Sequence, residues 1–167
     1  MDYLIADPHF SHENIIKYEK RPFRNAEIMN KELIKNWNNT VTNKDTIFVL
    51  GDVGFANKEE LTKIIKQLNG KKVLIMGNHD NKSVRYWYDV GFDEVYKYPI
   101  LYKEFFMLSH EPPTYFNENT PYFFIYGHVH STEMYKTITK NSACVSIERW
   151  DYKPVSLEKI VDLAKLV

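Results

Sequence analysis

The chain has 167 residues, 44% hydrophobic and 26% charged, a composition that suits one soluble globular domain over 1–167 with a substantial core. Lysine plus arginine (22) balance aspartate plus glutamate (22), which argues against a protein that coats extended nucleic acid or an acidic membrane surface. The single cysteine, Cys144, excludes an internal disulfide, no apolar run approaches the ~20 residues that span a bilayer, and the start Met1-Asp2-Tyr3-Leu4 has no signal-peptide character; a reducing, cytoplasmic setting is expected.

Along the chain, a short apolar run repeatedly stops at a polar residue. Tyr3-Leu4-Ile5-Ala6 leads to Asp7. Met29, Leu33, Trp37 and Val41 then recur every four residues and predict a helix with one apolar stripe. Phe48-Val49-Leu50-Gly51 leads to Asp52. Asn57 with Glu60 resembles a capping box, followed by Leu61, Ile64, Ile65 and Leu68 at helical spacing, with Gly70 as a stop. Val73-Leu74-Ile75-Met76-Gly77 leads to Asn78, Phe105-Phe106-Met107-Leu108-Ser109 to His110, and Phe123-Phe124-Ile125-Tyr126-Gly127 to His128. Finally, Ser156 caps a helix carrying Leu157, Ile160, Val161, Ala164 and Leu166.

Continuous apolar runs of this length suit strands buried on both faces. Their alternation with helices predicts an α/β fold with parallel pairing. Ligands of such sheets bind beyond the carboxyl ends of the strands, which is where each run ends. Neighbouring parallel strands would bring these side chains to one edge.

The residue types gathered there carry the chemistry. Five of the six histidines (His9, His79, His110, His128 and His130) fall in these motifs, and His12 follows His9 by three residues. Carboxylate, imidazole and amide oxygen together suit divalent Mn, Fe, Zn, Ni or Co, with Mn favoured. The absence of cysteine from the set argues against a closed structural zinc site. Two cations would need a shared anionic bridge, for which Asp52 is the candidate. Gly51, Gly77 and Gly127 precede ligand types and allow tight turns or close backbone approach. Of the four arginines, Arg21 and Arg24 stand closest after the first motif and are candidates, with His12, for substrate binding; Arg85 and Arg149 are weaker ones.

In order, Asp7-x-His9, Gly51-Asp52, Gly77-Asn78-His79-Asp80, His110 and Gly127-His128-x-His130 resemble the motifs of the calcineurin-like metallophosphoesterases. Phe10-Ser11-His12, Arg21-Pro22-Phe23 and Trp150-Asp151-Tyr152-Lys153-Pro154-Val155 further resemble small bacterial and phage members. The resemblance implies a four-layer α/β/β/α sandwich with a binuclear site at the strand ends. Asp7, His9, Asp52 and His130 would hold the first metal, and Asp52, Asn78, His110 and His128 the second. His79 would face the substrate, oriented by Asp80, while a metal-bridging hydroxide attacks phosphorus.

The sequence departs from the protein-phosphatase branch of that family. Asp52 is followed by Val53-Gly54-Phe55 without an arginine, and position 80 is Asp where that branch has Glu. The expected substrate is therefore a small phosphodiester, such as a nucleotide or cyclic nucleotide. A nucleotide pyrophosphatase or phosphomonoesterase is the nearest alternative, and a non-enzymatic scaffold of the same fold the more distant one. The filled ligand positions disfavour the scaffold. Neither the oligomeric state nor a protein partner is legible.

Overall fold

The computed structural model describes residues 1–114 and 119–167. All five apolar runs form strands. β1 (Asp2–Ile5), β2 (Thr46–Val49) and β3 (Lys71–Ile75) lie parallel, with Leu4, Phe48 and Val73 in one register. β4 (Glu94–Tyr96) continues this sheet in parallel, and β10 (Val155–Ser156) closes its other edge antiparallel to β1. A second sheet has the order β5 (Ile100–Tyr102), β6 (Phe106–Leu108), β7 (Phe123–Tyr126), β9 (Ser142–Cys144), β8 (Ile138–Thr139), in which β6, β7 and β9 are parallel. The five runs are thus divided three and two between sheets. The sheets meet at the strand ends, where Ala6 bridges Ser146 in parallel.

The uninterrupted apolar character of the runs follows from this packing. Ile5, Ile47, Val49 and Leu74 face a helical layer, while Leu4, Phe48, Val73 and Ile75 face Leu108, Phe123 and Ile125 of the second sheet. Both faces of the first sheet are buried along the later residues of β1, β2 and β3, so those stretches are apolar up to the ligand motifs, while the less buried strand starts carry Asp2, Thr46 and Lys71. The helical layer comprises α1 (Glu13–Tyr18), α2 (Ala26–Thr40), α3 (Lys58–Ile65) and α4 (Val84–Val90). Met29, Leu33 and Trp37 of α2 are buried in one stripe, as their spacing predicts. Asn57 caps α3 by accepting from the Glu60 N–H, and Ser156 caps α5 (Leu157–Ala164) by accepting from the Lys159 N–H. α3 itself ends at Ile65, and Gly70 instead makes the turn into β3.

The described residues form a mixed α/β fold of two sheets and five helices, with α1–α4 on the first sheet. α5, which follows the second sheet, supplies Leu157 and Ile160 to the core between the sheets, while the outer face of the second sheet is covered by Val129 and Tyr135 over Tyr126 and Cys144. Among the described residues, no helix is long and apolar enough to cross a membrane.

Candidate metal centre

The polar ends of the five runs converge, and they do so through unusual backbone. Asp7, His9, Asp52, His128 and His130 have φ of 58°, 50°, 54°, 69° and 45°. Residues other than glycine rarely adopt this left-handed region, and such conformations cluster where the surrounding structure imposes them. Here the loops after β1 and β2 hold each other. The Asp7 N–H donates to the Gly51 carbonyl at 3.1 Å, that of His9 to the Asp52 carbonyl at 3.1 Å, and that of Phe10 to the Val53 carbonyl at 2.9 Å. Two glycines make room. Gly51 has φ +80°, and a Cβ there would strike the His110 ring; a Cβ at Gly77 would strike the Asp52 carboxylate.

Two overlapping groups of ligand atoms result. Asp7, His9 and His130 offer atoms within 4.8 Å of one another, as do Asp7, Asp52 and His110. Asp7 belongs to both groups, and Asp52, a member of the second, also approaches the first. Its Oδ2 lies 3.6 Å from His9 Nε2 and its Oδ1 3.6 Å from His110 Nε2. On the second side, Asn78 Oδ1 is 2.9 Å from His110 Nε2 and 3.0 Å from His128 Nδ1. His110 Nδ1 faces the Leu50 carbonyl at 2.8 Å. A carbonyl only accepts, so Nδ1 carries the proton and Nε2 presents a lone pair. That lone pair and the Asn78 oxygen are both acceptors, a convergence that a shared cation would stabilise.

Three buried side-chain atoms among the described residues have no hydrogen-bond partner: Asp7 Oδ1, His9 Nε2 and Glu148 Oε2. Unpartnered buried polar atoms are uncommon in folded proteins, and two of these three belong to the expected ligands. The other Asp7 oxygen, Oδ2, is fixed by the His128 N–H at 2.9 Å. The donor set therefore fits divalent cations. Electrostatics agree. Burial pushes the Asp7 carboxyl up to about 6 and pulls the His9 imidazole far below its ordinary value. A nearby cation would favour the charged carboxylate and the neutral imidazole. Asp7, His9, Asp52 and His110 form a buried floor, whereas Asn78, His79 and His128 are exposed. A closed structural site has no such mouth.

His79 lies at that mouth. Its N–H donates to Asp52 Oδ1 at 3.0 Å, its Nε2 is 4.0 Å from Asp52 Oδ2, and its ring centroid is 5.0 Å from that of Phe55. Asp80 does not orient it. The Asp80 carboxylate turns inward and accepts from the N–H groups of Asp52 (2.8 Å), Gly77 (2.8 Å) and Val53 (3.0 Å). It fixes the loop that carries Asp52, and burial raises it to about 6. His12 begins α1 without capping it; its Nδ1 is 3.2 Å from His9 Nδ1, and its ring stacks on Phe55 at 4.0 Å.

The expected substrate role of Arg21 is corrected by its burial. Its guanidinium donates to the carbonyls of Asp7 (2.8 Å) and Pro8 (3.0 Å) and to Glu148 Oε1 (2.6 Å). It braces the first ligand loop and has no face left for a phosphate. Arg149 likewise donates to the carbonyls of His130, Thr132 and Tyr135, and exposed Arg85 pairs with Asp89. Arg24 is exposed and, among the described residues, makes no hydrogen bond or ion pair with the ligands.

Sequence reasoning missed Glu148. Its Oε1 also lies 3.1 Å from His130 Nδ1. A carboxylate accepts, so Nδ1 carries the proton and His130 Nε2 is left as the ligand atom. Burial pushes Glu148 up, but His130 and Arg21 hold it below the usual carboxylate range; burial pulls His130 down, but Glu148 and Asp7 raise it. The available signal was Ala143-Cys144-Val145, a sixth short apolar run with a carboxylate shortly beyond it.

Comparison with known proteins agrees with this geometry. The family model described as calcineurin-like phosphoesterase matches residues 3–154. A protein of Methanocaldococcus jannaschii, itself described as uncharacterized, is 42% identical over 167 residues, covering 96% of this chain and 89% of its own length. The crystal structure of a protein of unknown function from Aquifex aeolicus superposes with a TM-score of 0.72 at 30% identity, covering 98% of each chain.

Proposed function

The chain belongs to the calcineurin-like phosphoesterase family, and from that premise we propose that it hydrolyses a small phosphodiester at a centre of two divalent cations, Mn favoured. The family implies metal-dependent phosphoester hydrolysis; the number of cations, their identity and the diester are our reading. Asp7, His9 and His130 would hold one cation, Asn78, His110 and His128 the other, and Asp52 both. Cations so placed supply charge to the phosphoryl oxygens and bring the pKa of a water from 15.7 to about 7.

The protein's own groups do the rest. Asp80 holds the Asp52 loop through three backbone N–H groups. Leu50 and Glu148 set the tautomers of His110 and His130. His79, exposed above Asp52, is placed to give a proton to the departing alkoxide or to stabilise its charge. The observation that carries the reading is Asp52, whose two oxygens each stand 3.6 Å from an imidazole nitrogen of a different ligand group.

The test is hydrolysis of a chromogenic diester and its matching monoester by metal-stripped protein, with Mn, Zn, Ni and Mg restored in turn and Asp52→Ala as control. Diester cleavage restored by a transition metal and lost in the control supports the proposal. Cleavage of the monoester alone would make the protein a phosphomonoesterase. Folded protein that binds two ions yet cleaves neither would be a scaffold.

A further inference from the structure

His12 is the one histidine that the reaction chemistry above leaves without a task. The turn over 9–12 is pinned to the helical layer. Ser11 has φ 60°; its N–H donates to Asn30 Oδ1 on α2 at 2.8 Å, and its hydroxyl accepts from the Asn30 amide and donates to Glu60 on α3. The His12 N–H donates to the His9 carbonyl at 3.1 Å. The Phe55 ring stacks beside both imidazoles, its centroid 4.0 Å from that of His12 and 5.6 Å from that of His9. So held, the two Nδ1 atoms face each other at 3.2 Å. The other nitrogen of His9, Nε2, is buried without a hydrogen-bond partner, 3.6 Å from Asp52 Oδ2.

We infer that His12 is a positioning residue: its Nδ1 lone pair accepts the proton on His9 Nδ1 and so holds His9 in the tautomer that presents Nε2 to the first cation. The inference rests on the metal-centre reading above, which makes His9 Nε2 a ligand atom. A ligand nitrogen offers a lone pair, and a neutral imidazole carries one N–H, so the His9 proton belongs on Nδ1. Two nitrogens in hydrogen-bond contact need one donor and one acceptor. His12 Nδ1 is therefore the acceptor, and the proton of His12 belongs on its Nε2. His110 and His130 are set in the same way by the Leu50 carbonyl and the Glu148 carboxylate. Such partners fix the ring and the basicity of a ligating histidine. For His9 the partner is a second imidazole, which orients the ligand without adding a formal charge to the buried floor.

The experiment uses the full chain with isotope-labelled histidine rings, loaded with zinc because that ion is diamagnetic, and nitrogen NMR of the imidazoles. His9 is expected to carry its proton on Nδ1 and His12 on Nε2, with a scalar coupling between the two Nδ1 nitrogens across the hydrogen bond. His12→Phe keeps a ring for Phe55 to stack on but offers no acceptor. It should weaken zinc at the Asp7, His9 and His130 group by roughly 10–100-fold and leave the Asn78, His110 and His128 group unchanged, both read by competition titration. A proton on His12 Nδ1 in the unaltered, zinc-loaded protein overturns the inference whether or not the variant folds. So does a His12→Phe protein with both zinc affinities intact; a raised KM for the model diester in that protein would make His12 a substrate contact instead. Zinc that moves none of the ligand histidines overturns the metal centre and this role with it. The expected tautomers in a protein that cleaves neither model ester with any metal would keep the role of His12 and overturn the proposed reaction.

Discussion

Arg21 and Glu148, 127 residues apart in sequence, form a buried ion pair at 2.6 Å with side chains 0% and 4% exposed. Each partner also holds a ligand segment. Arg21 braces the Asp7 and Pro8 carbonyls, and Glu148 faces His130. The pair therefore couples the loop after β1 to the loop after β7, the two that supply the first group of ligands. Breaking a buried pair by removing one partner costs about 3–5 kcal/mol, because the other charge stays behind unpaired. Glu148→Ala should lower thermal stability on that scale, read by calorimetry. It should also weaken metal binding at the Asp7, His9 and His130 group by roughly 10–100-fold. The Asn78, His110 and His128 group does not touch Glu148 and should keep its affinity. Equal loss at both would show that the pair supports the fold as a whole.

Asp80 and His79 are adjacent in sequence but separate in role. Asp80→Asn keeps the size of the side chain yet presents an amide N–H to backbone donors that now meet a carboxylate. The mismatch should cost about 1–3 kcal/mol and lower metal occupancy through the Asp52 loop. His79→Ala removes a half-exposed ring and should leave stability and metal content intact while turnover falls by ~10²–10⁴. Metal analysis and kinetics on the two variants separate these outcomes, and a His79→Ala protein with unchanged turnover would remove that histidine from the mechanism.

Gly51→Ala tests the crowding behind the site. The left-handed φ and the His110 ring both oppose a Cβ there, and such strain costs on the order of 1–3 kcal/mol. Because the displaced group is His110, the variant should lose affinity at the second ligand group first. Isothermal titration that finds both affinities intact would show that the loop accommodates the methyl.

These relationships also show what a sequence can disclose. The strands before the ligand motifs were legible because burial leaves an apolar run, which for three-residue β6 extends back to Phe105, and the ligand motifs because each follows one. Asn57 and Ser156 were legible because capping is a local interaction. The division into two sheets was not, since strand order is decided by contacts between distant segments. β4, β5, β8, β9 and β10 have two or three residues each, too few to show a period. Glu148 was hidden for that reason: its strand, β9, is short, and the carboxylate lies on the turn Ile147–Trp150 beyond it. The roles expected for Asp80 from the family resemblance and for Arg21 from its nearness to the first motif both differ from the structure, where their side chains turn inward to backbone groups.

The position of Asp52, with one oxygen towards His9 and the other towards His110, leads to the most discriminating metal experiment. If one carboxylate serves both groups, its loss should empty both, whereas the loss of a terminal ligand should weaken one. Asp52→Ala is therefore expected to retain neither ion at stoichiometric metal, and His130→Ala to retain one. Both can be read by elemental analysis after gel filtration. Stability should follow occupancy, since a ligand that binds only the folded state at 100 times its Kd adds about 2.7 kcal/mol. Chelation should accordingly lower the melting temperature of the unaltered protein and leave that of Asp52→Ala nearly unchanged. A chelator-sensitive Asp52→Ala protein would mean that the two groups bind independently, and the shared bridge would have to be abandoned.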